Sequence, residues 1–183
     1  MTERRTPVRL FILICGVALW TSTAGQLHAQ AHSHDHMSPY SGFTDREIKA
    51  LSPEEMAGLL DGEGLGMALP AELNGFPGPM HVLEMRDMLG LTDEQKSEIQ
   101  SVFDDMQSRA RALGRDIVEL ERELDIGFAE GTITETRMIE LLEAIGEKRA
   151  HLRAAHLRAH LEVTPLLSDS QRQHYSRARG YGG

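Results

Sequence analysis

The chain carries one cysteine and one tryptophan in 183 residues, and only 5% of it is aromatic. A single thiol, Cys15, cannot build a disulfide framework. The motifs of common enzymes are missing too. There is no HExxH, GxSxG or CxxC, and no Gly-rich phosphate loop. No Glu has a His three residues on, so the ligand pattern of a di-iron bundle is lacking. Nothing pairs a nucleophile with His and Asp at a recognisable spacing, and the expectation is a protein without catalysis. The net charge of −9 argues against nucleic acid as a partner.

The apolar run Leu10–Trp20 is too short to span a bilayer comfortably. Preceded by Arg4, Arg5 and Arg9 and followed by small residues, it reads as a secretory signal over residues 1–31. Cleavage after Ala29 or after Ala31 fits equally, and a retained anchor is the other reading. Thr6-Pro7-Val8 does not continue a twin-arginine pattern, and Ile14 is too large for a lipobox before Cys15. Without residues 1–31, which hold three Arg, one Glu, the Cys and the Trp, 16 basic and 27 acidic residues remain, a net of −11. The remaining length, about 150 residues, fits one domain with a modest core. Few aromatics with many Glu, Arg, Leu and Ala point to an all-α fold.

The expected organisation is a His-containing tail over 32–43, a helical domain over 44–179 and a short tail over 180–183. Short helices are expected near Asp45–Leu51, after Ser52-Pro53, and over Met80–Leu89 with Gly90 as the stop. The Gly- and Pro-rich stretch 62–79 reads as a loop laid on the helices through Leu65, Met67, Leu69, Leu73 and Phe76. Ile99, Phe103, Met106, Ala110, Leu113, Ile117, Leu120 and Leu124 then recur at alternating spacings of four and three. That is a heptad seam on one long helix, about Asp93 to Phe128. After a turn at Glu130-Gly131-Thr132, Thr134 caps a second long helix with the seam Met138, Leu141, Ile145, Lys148, Leu152, Ala155, Ala159 and Val163. An antiparallel hairpin with one constant register pairs Leu124 with Met138, Ile117 with Ile145, Ala110 with Leu152 and Phe103 with Ala159. Leu142, Ile139, Val102 and Leu157 widen the apolar stripe, and the earlier helices or a second copy must cover it. A homodimer is the expectation.

One pattern occurs twice: Leu91-Thr92-Asp93-Glu94-Gln95 and Leu167-Ser168-Asp169-Ser170-Gln171. In each, a hydroxyl residue at the N-cap and a Gln three positions later form a capping box. The hairpin register brings the two copies side by side. The pair resembles the twice-repeated Leu-Thr-x-x-Gln signature of the Spy/CpxP family of periplasmic chaperones. Leu91, Thr92 and Gln95 match it fully; Leu167, Ser168 and Gln171 match with Ser for Thr. The resemblance implies a periplasmic, ATP-independent holder of unfolded envelope proteins, often a curved dimer. It includes zinc- and nickel-binding relatives, and it alone suggests a membrane sensor kinase or sigma-regulatory system as partner.

Three groups of residues are candidate sites. His156 and His160, at i and i+4, share one helix face, and the fold-back of the short helix brings His81 to their level. Together they suit one zinc, nickel, copper or cobalt ion; the same residues also read as exposed members of a polar stripe. His32, His34 and His36 form the second group. Either cleavage puts a His at position three, which with the free amine suits Cu or Ni; a solvated tail is the alternative. The third is a basic belt of Lys148, Arg149, Arg153 and Arg158, laid by the register against Arg109, Arg111 and Arg115. With Leu and Ala between the charges it suits unfolded client chains; simple pairing with nearby Glu119, Glu121 and Glu123 is the alternative. Leading function: an envelope holdase with linked metal binding. Alternative: a heavy-metal sensor or buffer.

Overall fold

The computed structural model describes residues 38–181. Its described part is all-α, with no strand. Six helices follow one another: α1 Pro53–Asp61, α2 Leu69–Glu72, α3 Pro79–Glu84, α4 Asp93–Ala129, α5 Glu135–Val163 and α6 Asp169–Ala178. Single 3-10 turns lie at Ser41–Phe43 and Thr164–Leu166. His32, His34, His36 and the expected signal lie outside the described residues. Among the described residues no helix is long and apolar enough to cross a membrane.

The two long helices form the expected antiparallel hairpin, with arms of about 56 and 44 Å at 1.5 Å per residue. Its seam is the predicted one. Ile99, Ala110 and Ile117 on α4 are fully buried, as are Leu141, Leu152 and Val163 on α5. Lys148, the one polar member, stays half-buried and reaches Asp116 at 2.7 Å. The starts follow the chemistry of their caps. Ser52 Oγ accepts from the Glu55 amide, with Pro53 at the first helical position, and Thr134 Oγ1 accepts from Arg137. The arms are joined at Gly131, whose φ of +67° suits glycine.

Both repeats of the capping pattern are complete capping boxes. Their glutamines do more than cap. Gln95 Nε2 donates to Gln171 Oε1 at 2.9 Å, and Gln171 Nε2 donates back to Gln95 Oε1 at 3.0 Å. Gln95 Nε2 also donates to the Leu166 carbonyl at 2.7 Å. The start of α4, the end of α5 and the start of α6 are thus tied at one level. This clasp sits over an apolar cluster of Val82, Leu89, Leu91, Ile99, Val163, Leu167 and Tyr175.

A second cluster fills the middle of the hairpin, from Ile48, Leu51, Leu59, Ala110, Ile117, Val118 and Leu152. Here α1 packs on α4. The contact is close because α4 carries Gly114, where an added Cβ would fall 1.8 Å from the Leu59 carbonyl oxygen. Arg111 Nε donates to the Asp61 carbonyl, and Asp125 accepts the Lys49 amide.

Three expectations need correction. Residues 45–51 form bends and turns instead of a helix. They are held by Ile48 and Leu51 in the core and by the Arg122–Glu47 pair. The helix expected over Met80–Leu89 is α3, Pro79–Glu84. Beyond it the chain turns, and Gly90 (φ +60°) lets the Leu91 amide return to the Arg86 carbonyl. The stretch 62–79 is not all loop, since it carries α2; it does lie on the hairpin, but of the residues expected to pack only Met67 does so. Leu65, Leu69, Leu73 and Phe76 are exposed, while Met67, Glu72, Pro77 and Gly78 turn inward.

Two substitutions test this packing. Gly114→Ala should push α1 off α4 and cost roughly 1–3 kcal/mol in urea unfolding. Gln95→Ala leaves Gln171 and the Leu166 carbonyl without their donor and should cost roughly 1–3 kcal/mol. An unchanged unfolding midpoint in either would refute the contact it removes.

Candidate functional site

The two apolar clusters are not continuous. On α4 the gap lies between Ile99 and Ala110, and on α5 between Leu152 and Val163. It is roofed by the loop after α1 and by the start of α3, and it holds a cavity of about 420 Å³. Apolar walls come from Leu65, Leu69, Met80, Phe103 and Met106. Polar walls come from Glu72, His81, His156, His160, Arg179 and Tyr181.

His81, His156 and His160 therefore border one space. They are not an exposed stripe: His156 and His160 are 4% and 8% exposed, and His81 is partly buried. His160 Nδ1 lies 2.7 Å from the Phe76 carbonyl oxygen, so Nδ1 carries a proton and donates it there. His81 Nδ1 is 3.0 Å from Glu84 Oε2. His156 Nε2 is buried with no hydrogen-bond partner. Burial, then the neighbouring His160, holds the His156 imidazole below its ordinary value, so it is neutral at pH 7. Carbonyl and carboxylate partners of this kind commonly orient metal-binding imidazoles. Yet among the described residues no three His, Cys, Asp or Glu are grouped closely enough to hold a metal ion. As placed, the donor set borders a cavity without closing on an ion.

Sequence reasoning missed the buried carboxylate beside them. Glu72, 7% exposed, accepts from the Tyr175 hydroxyl and from the Gly78 amide at 3.2 Å. Arg179 Nε is 3.6 Å away and His160 Nδ1 is 3.7 Å away. Burial first, and Glu72 second, raise the Tyr175 phenol far above its ordinary value, so it remains a donor. No spacing announces this bond. The only hint is a lone tyrosine in the otherwise polar α6.

The basic belt divides into paired and unpaired members. Lys148 pairs with Asp116, Arg149 with Glu121 and Glu55, and Arg109 with Asp105. Arg111 is used on the Asp61 carbonyl. Arg115, Arg153 and Arg158 have no ion-pair partner among the described residues. A shallow groove of about 320 Å³ is lined by α4 and α5 alone, with Arg109, His151 and Arg158 around Leu113 and Ala155.

The neutral His156 gives a pH dependence of stated sign. Its folded-state affinity for protons is below the unfolded value, near 6.5. Its contribution to stability is present above that pH and is lost as pH falls through it. Urea unfolding at several pH values should show a decline below about pH 6.5 that is smaller in His156→Phe. Parallel curves for the two proteins would exclude His156 as the source.

No curated protein and no solved structure matches the chain. A family model does match, over residues 79–179, and it is that of the LTXXQ motif family. The match starts with α3, spans both arms of the hairpin and includes both glutamine caps. The family is a helical, non-enzymatic and generally periplasmic one. The chain thus belongs to the LTXXQ motif family, the Spy/CpxP-type family that its paired capping motifs resemble.

Proposed function

We propose that the protein is a periplasmic, ATP-independent holder of unfolded envelope proteins. The observation that supports this most is the groove on the uncovered face of the hairpin. Its floor is small and apolar, and it is bordered by Arg109 and Arg158. Arg115 and Arg153, elsewhere on the hairpin, also have no acidic partner among the described residues. A shallow surface of apolar groups bordered by guanidinium groups, that of Arg158 without an acidic partner among the described residues, suits flexible chains that expose hydrophobic and acidic residues. It gives many weak contacts and no deep pocket. Exposed Ile126, Phe128, Ile139 and Leu142 at the tip of the hairpin support a homodimer that covers them.

The alternative, a heavy-metal sensor or buffer, draws on the oriented His81 and His160 beside the unpartnered His156. It needs the loop 62–79 to close further on the hairpin, since the three rings are not grouped as ligands. If metal binds there, calorimetry with zinc, nickel and copper on a chain starting at Ser38 should show affinity that His81→Ala and His156→Ala each lessen strongly. Equal affinity in His81→Ala would remove the three-histidine site.

For holding activity, aggregation of a chemically unfolded client should be suppressed without nucleotide. Arg115, Arg153 and Arg158 changed together to Glu should weaken that suppression several-fold and leave helicity intact. Full activity in the folded triple variant would remove the basic belt from the mechanism.

A further inference from the structure

Cavities of about 300–1,000 Å³ with mostly apolar walls and a few converging polar groups are the usual form of small-molecule sites. The space between the two apolar clusters has this form at about 420 Å³, and its walls are built from four segments of the chain. It also contains an unmet need. His156 lines it, is 96% buried as the complement of its 4% exposure, and has an Nε2 with no partner. Leaving a buried polar atom unpaired costs stability, which a bound hydrogen-bonding group would recover. The polar walls nearest to it are already engaged: His160 on Phe76, Glu72 on Tyr175 and Gly78, His81 on Glu84 and Arg179 on Tyr181.

We infer that this cavity binds a small, uncharged, largely apolar organic molecule that carries one hydroxyl group, with the hydroxyl at His156. The charge follows from the walls. Asp61, Glu63 and Glu72 border the space against a single cation, Arg179, itself held on Glu72 and Tyr181, so the walls oppose an anion, and apolar walls penalise any unpaired ion. The hydroxyl follows from the imidazole. A neutral ring has one donor and one acceptor nitrogen, and a hydroxyl can meet either. The apolar body would lie against Leu65, Leu69 and Met80, which are 43%, 53% and 47% exposed without it. This site is separate from the client groove, and its occupant differs from a metal ion, for which the described residues offer no ligand cluster.

The test uses calorimetry on the purified chain with 1-naphthol, naphthalene, 1-naphthoate and zinc alone. 1-Naphthol should bind one to one, roughly five- to tenfold tighter than naphthalene, the value of one neutral hydrogen bond. The anion 1-naphthoate should bind more weakly than 1-naphthol. His156→Phe, checked for helicity, should reduce 1-naphthol to the affinity of naphthalene. Gly64→Leu keeps an ordinary backbone angle and sets a side chain beside His156, with its Cβ 3.9 Å from Nδ1. It should abolish binding of both apolar compounds. Equal affinity for 1-naphthol and naphthalene, or 1-naphthol binding unaffected by His156→Phe and Gly64→Leu, would overturn the proposal. So would zinc alone binding tightly while 1-naphthol does not bind, an outcome that would favour the metal reading. Client aggregation assays do not enter into any of these outcomes, so holding activity stands or falls separately.

Discussion

The reciprocal amide pair of Gln95 and Gln171 is the constraint on which the arrangement rests. Each glutamine closes its own helix start, and with the same side chain it grips the other. An amide has both a donor and an acceptor end, so two of them can face each other and still serve backbone groups. A glutamate in either place would lose the donor; an alanine would lose both roles. This gives a physical reason for a Gln at the third helical position of both copies. Fixing the starts of α4 and α6 at one level also fixes the register of the arms, since α5 returns to the clasp through the Leu166 carbonyl.

Above the clasp the interior is divided into two apolar clusters with a polar layer between. A continuous core would be the simpler way to stabilise a hairpin of this length. The layer instead gathers the buried Glu72, His156 and His160, with the Tyr175 hydroxyl reaching Glu72 from the neighbouring cluster, and leaves one nitrogen unpaired. Buried polar groups must be satisfied or they cost stability. The cost is accepted where the roof is a Gly-rich stretch with only the short α2 and the start of α3 in it.

The long helices, their seams and their register were legible in the sequence, because heptad periodicity is a local signal repeated over several turns. The caps at Ser52, Thr92, Thr134 and Ser168 were legible for the same reason: each needs only four residues. Residues 45–51 misled, because their helical composition is overridden by the burial of Ile48 and Leu51. The loop residues Leu65, Leu69, Leu73 and Phe76 misled because apolar character does not say which side of a loop faces inward. The gathering of His81 with His156 and His160 could be read from two registers. Glu72 could not, since its partners Tyr175 and Arg179 come from the far end of the chain and no periodicity connects them. A glycine inside a helix lowers its propensity; Gly114 is instead the point where α1 meets α4.

The bond between Glu72 and Tyr175 joins positions 103 residues apart. Contacts within the hairpin close short loops near its turn and can zip from there, whereas this one must wait until both arms are in place. The chain therefore has a natural order of assembly, with the hairpin first and the α2 loop and α6 last. Order in reverse follows: the segments that close last have few contacts of their own and should open before the hairpin melts. Native-state hydrogen exchange would register this as earlier labelling of α2 and α6 than of α4 around Ile117. The roof of the cavity would then lift more readily than the hairpin beneath it, and access to its interior would be a matter of local opening instead of global unfolding.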